Sequence, residues 1–115
     1  MRAILYISGM IQYNISFAGA GKVASALCGE IYSAGNRIDL IVSESEKNGP
    51  SLARSCEALW SQVLHFPDSS DIIIVSVPDH RLKNVLNNIV HRPNALVVHT
   101  AGSIGLDIFP EKISY

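Results

Sequence analysis

Short runs of apolar residues alternate with segments of helical periodicity along most of this chain. Five runs have the length of strands and show no apolar–polar alternation, which is typical of strands buried on both faces. The segments between them place apolar residues three and four positions apart, as amphipathic helices do. This alternation predicts a parallel sheet with helices on both faces. The predicted strands span residues 13–18, 37–42, 63–66, 71–77 and 95–99.

Three helices are predicted between these strands. The first follows Gly21 and ends before Gly35, a residue type common just beyond a helix. The second is predicted at residues 51–62, and the third begins at Asp79, which is placed to cap it. The predicted apolar faces comprise Val23, Leu27 and Ile31 in the first helix, Leu52, Cys56, Leu59 and Trp60 in the second, and Leu82, Val85, Leu86, Ile89 and Val90 in the third.

The two ends of the chain are predicted separately. Residues 1–12 form an extension, or the start of the first strand, before a domain at residues 13–115. A further short helix is predicted at residues 104–109, and residues 113–115 have the composition of the opening of a sixth strand. Since a doubly wound nucleotide fold commonly has six strands, we expect a domain that is cut short after the fifth strand and this helix.

Composition and charge narrow the functional classes. Hydrophobic residues make up 48% and charged residues 17%, which favours a folded domain. A net charge of -1 without a basic run predicts no nucleic-acid partner, and the apolar residues 1–9 are too few to span a membrane. The four histidines show no metal-ligand spacing, so no metal is expected. Cys28 and Cys56 are predicted to be buried, reduced thiols, which fits a cytoplasmic location.

A glycine-containing turn is the strongest indication of chemistry. Residues 19–24 have the form G-x-G-x-x-A between a predicted strand and a predicted helix. Gly19 would permit the turn, Gly21 would let the backbone approach a pyrophosphate, and Ala24 would let the helix pack closely. The phosphate would sit at the helix N-terminus, although the turn could instead serve packing alone. The candidate cofactor-binding residues here are Gly19, Ala20, Gly21, Lys22, Val23 and Ala24.

An acidic residue after the second predicted strand extends this pattern. Glu44 lies twenty residues beyond Ala24, where a carboxylate could accept hydrogen bonds from ribose hydroxyls, or it could be a solvated loop residue. A carboxylate there would repel a 2′-phosphate, which favours NAD over NADP. Ser43, Ser45 and Lys47 are close enough in sequence to reverse that preference.

Two further loops leave predicted strands at their carboxyl ends, where ligands collect in open α/β sheets. In the first loop, Val77, Pro78 and Asp79 would lie beside the ribose and nicotinamide of a cofactor, unless Asp79 only caps the helix. His80 could simply face solvent.

The second loop follows the fifth predicted strand. Thr100, Ala101 and Gly102 would lie where a nicotinamide ring and a substrate meet. His99 is a candidate proton donor, or a residue that only bonds backbone, and Ser103 is the other candidate for catalysis.

In order, the segments FAGAGKVA, DIIIVSVPDH and ALVVHTAGS resemble the N-terminal half of a family of proteins assigned as NAD(P)-dependent oxidoreductases. Members pair a Rossmann-like domain with an uncharacterised helical C-terminal domain. They are similar to pyrroline-5-carboxylate reductases and, more distantly, to 3-hydroxyisobutyrate dehydrogenases. Ala101 departs from the family, which often has serine there, and Glu44 stands about where NADP-using relatives carry arginine. The resemblance covers residues 13–115 and implies a homodimer in the full-length protein, since the related C-terminal domain supplies dimer contacts.

The motifs and the resemblance together predict a Rossmann-like α/β domain of three layers, helices, sheet and helices, with strand order 3-2-1-4-5. It would bind NAD or NADP in an oxidoreductase that transfers hydride to or from a small-molecule substrate. The 115-residue chain alone is expected to bind the cofactor weakly and without turnover. A dinucleotide-sensing module without catalysis is the alternative. A domain that binds S-adenosylmethionine is less favoured, because it usually has an acidic residue just before the glycine turn, where this chain has Phe17-Ala18.

Overall fold

The computed structural model describes residues 12–100, which form a parallel sheet with helices on both faces. The described strands pair in the order β3-β2-β1-β4-β5, and every pairing is parallel. The Rossmann-like α/β class and the strand order predicted from sequence are therefore confirmed. The elements are β1 (Asn14–Ala18), α1 (Lys22–Ser33), β2 (Arg37–Val42), α2 (Asn48–Ser55), β3 (Leu59–Ser61), β4 (Ile72–Val75), α3 (Asp79–Asn88) and β5 (Leu96–His99).

The central strands are buried on both faces, which explains their unbroken apolar runs. In β1, Phe17 packs in one core cluster with residues of α1 and α2, while Ala18 packs in the other with residues of α3. Ile74 and Val75 of β4 divide between the same two clusters. Successive side chains of a strand point to opposite faces, so each of these strands contributes to both helical layers.

The segment between β2 and β4 differs from the sequence prediction. The predicted helix at residues 51–62 is wrong in its bounds, since α2 spans Asn48–Ser55. The third strand is Leu59–Ser61 and not residues 63–66, where His65 forms only an isolated bridge to Val90. A strand of three residues is too short for its period to be told from a helical stripe. Glu57, with φ of 55°, lies in the turn between α2 and β3.

Several side chains assigned to buried helical faces are exposed. Leu59 belongs to the edge strand and is 74% exposed. Val23 lies in the first turn of α1 and is exposed, whereas Leu27 and Ile31 of the predicted face are buried together with Ala24 and Cys28. Val90 lies beyond α3 and is also exposed.

The start of α3 also differs from the prediction. Pro78 occupies the capping position without a side-chain cap bond, and Asp79 is the first helical residue. Asp79 is therefore not the cap, but its carboxylate lies where the helix dipole favours an acidic residue. No helix within residues 12–100 is long and apolar enough to cross a membrane. The short helix predicted at residues 104–109, the sixth strand at 113–115 and most of the N-terminal extension lie outside the described residues.

Candidate functional site

A cavity of about 540 Å³ opens at the carboxyl ends of β1, β2 and β4. The chain runs from β1 to its neighbour β2 on one side, and β4 begins the other half of the sheet on the opposite side of β1. The cavity therefore lies at the point where the strand order reverses, which is where open α/β sheets bind ligands.

Gly19 makes the turn out of β1 possible. Its φ of 114° lies in a region that favours glycine, and its N–H donates to the carbonyl oxygen of Val42 at 2.7 Å. A Cβ atom at this position would overlap the backbone carbonyl oxygen of Ser76, which follows β4. The residue is therefore required for the close approach of the turn to the loop after β4.

Gly21 has a different role in the same turn. It occupies the capping position of α1 with extended backbone, and a Cβ atom there would meet nothing within 4 Å. Packing does not require glycine at this position, which lines the cavity and has open space beside it. This is the space that a pyrophosphate would need to approach the backbone.

The N-terminus of α1 provides an electropositive end to the cavity. No side chain caps this terminus, and its first turn contains Lys22 but no acidic residue. The unpaired backbone N–H groups and the helix dipole favour an anion there. Ala24 is fully buried in the core beneath this turn, as its small size was predicted to allow.

A network of hydrogen bonds fixes the loop after β2. The Ser43 hydroxyl donates to the carbonyl oxygen of Ser45 at 3.0 Å and accepts from Trp60 Nε1 at 2.9 Å. A Cβ atom at Gly49 would overlap both Ser43 Oγ and Trp60 Nε1, so glycine is needed beside this bond. Ser45 Oγ accepts from the N–H of Asn48 at 2.9 Å. This support could not be predicted from the sequence, because it depends on Trp60 lying on a strand.

Glu44 in this loop forms an ion pair with Arg81 in the first turn of α3. Both terminal nitrogens of Arg81 donate to the two carboxylate oxygens of Glu44. Hydrogen bonding to Arg81 lowers the pKa of Glu44, and the same bonds raise the pKa of Arg81. Gln62 Nε2 donates to the backbone oxygen of Glu44 at 3.1 Å. Glu44, Gln62 and Arg81 all line the cavity.

The loops after β4 and β5 complete the cavity wall. Val77, Pro78 and Asp79 line it beside Thr100. The Thr100 N–H donates to the carbonyl oxygen of Val75 at 3.2 Å, and its hydroxyl donates to Ser76 Oγ at 3.3 Å.

The cavity brings together nearly all the candidate cofactor residues that the structure describes. The described candidates that line it are Gly19, Ala20, Gly21, Lys22, Val23, Ser43, Glu44, Ser45, Val77, Pro78, Asp79 and Thr100. Ala24 packs beneath the cavity. Lys47 is exposed and His99 is the last residue of β5, and neither of these two residues lines the cavity. Ala101, Gly102 and Ser103 lie outside the described residues.

Sequence reasoning missed eight residues of the cavity wall. Three of them, Ala18, Val42 and Val85, belong to β1, β2 and α3. Asn48, Gln62, Leu64, Ser76 and Arg81 all line the cavity. Of these residues, Arg81 is the one that the sequence could have indicated. It follows Pro78 by three positions, which places it in the first turn of the helix after β4, beside the predicted cofactor site.

The two cysteines lie in the core and not in the cavity. Their prediction as buried, free thiols is confirmed. The sequence did not predict that α1 and the end of α2 bring Cys28 Sγ and Cys56 Sγ within 2.7 Å. Burial, and then the bond to Cys56, raise the pKa of the Cys28 thiol. Within residues 12–100, no group of three or more histidine, cysteine, aspartate or glutamate side chains could hold a metal ion.

Comparison with known proteins relates residues 14–102 to a family described as "NADP oxidoreductase coenzyme F420-dependent". Among solved structures, a protein from Bacteroides fragilis described as an NADP oxidoreductase is 30% identical, with a TM-score of 0.76. The match covers 89% of this chain and 40% of that one. No curated protein matches the chain at a significant level.

Two more distant structures share the fold. An arogenate dehydrogenase from Synechocystis is 18% identical over 83% of this chain and 36% of its own, with a TM-score of 0.67. D-mandelate dehydrogenase from Rhodotorula graminis is 17% identical over 93% of this chain and 34% of its own, with a TM-score of 0.62. The chain therefore spans well under half the length of all three structures.

Proposed function

Because this chain belongs to the family of coenzyme F420-dependent NADP oxidoreductases and is a Rossmann-like NAD(P)-binding domain, we propose that the cavity at the carboxyl ends of β1, β2 and β4 holds the dinucleotide. The observation that carries this proposal is the open space at Gly21, directly at the uncapped N-terminus of α1. An anion placed there gains the helix dipole and the backbone N–H groups without displacing a side chain.

The two ends of the cavity suit the two halves of the cofactor. The pyrophosphate would be held at Gly21 and Lys22. The adenosine ribose would lie toward Glu44, at the end of β2, and the nicotinamide toward Pro78 and Thr100. When bound, the nicotinamide supplies a hydride acceptor or donor, and the loops after β4 and β5 would orient its ring.

The complete enzyme would use this domain for hydride transfer to or from a small-molecule substrate. We propose that a C-terminal domain supplies most of the substrate pocket and the contacts of a homodimer, because the chain covers only 40% of the Bacteroides fragilis protein. A cytoplasmic location suits the two free thiols.

Fluorescence titration with NADPH and NADH tests cofactor binding. Trp60 is the single tryptophan of the chain, and its Nε1 bonds to Ser43 in the cavity wall. We expect saturable quenching of Trp60 emission by at least one of the two cofactors. Absence of saturable binding of either cofactor would contradict the proposal.

A pair of glycine substitutions separates cavity binding from binding elsewhere. Gly21→Val should abolish the quenching, because its side chain would fill the space at the N-terminus of α1. Gly29→Val is the matched control, since Gly29 is exposed in the same helix and also has no atom within 4 Å of a Cβ. If both variants bind like the unchanged protein, the cofactor does not lie on the glycine turn.

A further inference from the structure

The two cysteine side chains meet in the core layer that α1 and α2 form on one face of the sheet. Cys28 lies in the middle of α1, and Cys56 directly follows α2. Their Sγ atoms are 2.7 Å apart, and these two residues are the only cysteines of the chain. Because the sulfur atoms of a disulfide are about 2.05 Å apart, the two thiols need to approach by less than about 1 Å to form one.

A second cavity brings solvent next to this pair, at the end of the sheet opposite the dinucleotide cavity. It measures about 630 Å³ and lies at the amino ends of β1 and β2, where Asn14, Arg37 and Cys56 line it. Amide, guanidinium and carboxylate groups in its wall suit water and small polar solutes. Cys56 is 3% exposed, whereas Cys28 is fully buried and does not line this cavity.

The turn that carries Cys56 is fixed against α1. The Cys56 N–H donates to the carbonyl oxygens of Leu52 and Ala53, both at 3.2 Å. On the other side of the thiol, the Tyr32 hydroxyl at the end of α1 donates to Glu57 Oε2 at 2.5 Å. Two groups that separate elements hold in contact react with each other at a high effective concentration. The fold therefore presents the two sulfurs to each other before any bond forms.

The surroundings of the two thiols give them different roles toward an oxidant. Burial, and then the bond to Cys56, raise the pKa of the Cys28 thiol, so Cys28 keeps its proton and is shielded from solvent. Cys56 borders the second cavity, where a small peroxide can approach its sulfur. Hydrogen peroxide has only two heavy atoms, so it fits a space that excludes a bulky aromatic reagent.

We propose that Cys28 and Cys56 form a redox modification site, at which hydrogen peroxide converts the two thiols into a reversible disulfide between α1 and the end of α2. The Cys56 sulfur first attacks the O–O bond, becomes a sulfenic acid and releases one water. The Cys28 sulfur then displaces the sulfenic hydroxyl, which leaves with the Cys28 proton as a second water. The thiols lose two hydrogens and two electrons, and the peroxide is reduced. This site is independent of dinucleotide binding.

Intact mass spectrometry of the unchanged chain tests the proposal. After treatment with hydrogen peroxide and unfolding in urea, we expect a monomer that is lighter by two hydrogen atoms and takes up no N-ethylmaleimide. Dithiothreitol should restore the uptake of two labels, since thiol exchange reverses a disulfide. Two labelled thiols after peroxide treatment, disulfide-linked dimers, or sulfinic and sulfonic acids as the main products would overturn the proposal.

Thermal unfolding shows whether the bond fits the native fold. The disulfide joins residues 28 positions apart, so it should restrict the unfolded chain and raise the Tm by roughly 10 °C or more. Dithiothreitol should remove this rise. An oxidised chain whose Tm is unchanged or lower would mean that the bond distorts the fold, which contradicts a built site.

A matched pair of single-thiol variants tests the order of the two steps. In Cys28→Ala, Cys56 should form a sulfenic acid that dimedone traps on unfolding, at least about 10-fold faster than Cys28 does in Cys56→Ala, because oxidation follows exposure. Circular dichroism checks that both variants are folded, and the mass measurement on the unchanged chain stands without them. Equal trapping in the two folded variants would overturn the assignment of Cys56 as the thiol that reacts first.

Discussion

At the scale of single residues, the two glycines of the turn have different roles. Gly19 is fixed by geometry, because its φ is 114° and a Cβ atom would overlap the Ser76 carbonyl oxygen. Gly21 faces open space and has an ordinary extended backbone. The G-x-G-x-x-A pattern therefore combines a requirement of the fold with a space for a ligand.

We expect Gly19→Ala to lower the free energy of unfolding by about 1–3 kcal/mol, since it adds backbone strain and a steric overlap. Gly21→Ala should cost at most about 1 kcal/mol, because alanine is only a poorer helix cap than glycine. Urea denaturation followed by circular dichroism measures both changes. Equal losses for the two variants would show that the turn does not depend on the positive φ of Gly19.

The sequence was informative about residues whose role is local. Gly19, Gly21 and Glu44 could be placed at the edge of the sheet, where they line the cavity, because a turn and the end of a strand are recognised from adjacent positions. Arg81 could not be assigned as the partner of Glu44, since their contact joins residues 37 positions apart on separate elements. Such a pair depends on how α3 approaches the loop after β2, and periodicity carries no information about that approach.

At the scale of elements, prediction succeeded where the apolar runs are long. The run before Val75 contains three isoleucines in a row and lies in the sheet as β4. It failed at β3, because Leu59–Ser61 is short and Leu59 and Trp60 also continue the helical spacing of Leu52 and Cys56. Pairing with β2 decides the conformation there, which shows tertiary structure overriding local pattern.

The thiol pair between α1 and α2 gives a prediction at the same scale. Cys28 and Cys56 are both buried, so a bulky reagent in solution should not reach either thiol in the folded protein, and burial also raises the pKa of Cys28. In the native protein, we expect Ellman's reagent to label both thiols only at the rate of unfolding. In urea, it should label both thiols of each chain rapidly. A rapid phase in the native protein would mean that the contact between α1 and α2 opens without global unfolding.

At the scale of the whole molecule, the fold brings separate loops to one sheet edge. All described strands are parallel, so the segments after β1, β2, β4 and β5 meet at their carboxyl ends. The two core clusters, one on each face, support this edge, and Ala18, Val42 and Val85 of the second cluster also line the cavity. Ligand binding at the edge should therefore couple to the stability of the domain, because the cavity wall is assembled only in the folded chain.

Thermal unfolding with added cofactor tests this coupling. A ligand at 100 times its dissociation constant stabilises the folded state by about 2.7 kcal/mol, which raises the Tm of a domain of this size by roughly 10 °C or more. We expect a cofactor that quenches Trp60 emission to produce this rise and Gly21→Val to abolish it. Gly29→Val should retain the full rise, since its change lies outside the cavity. A cofactor that quenches Trp60 yet leaves the Tm unchanged would be binding folded and unfolded chains alike, which a site built from four separate loops does not allow.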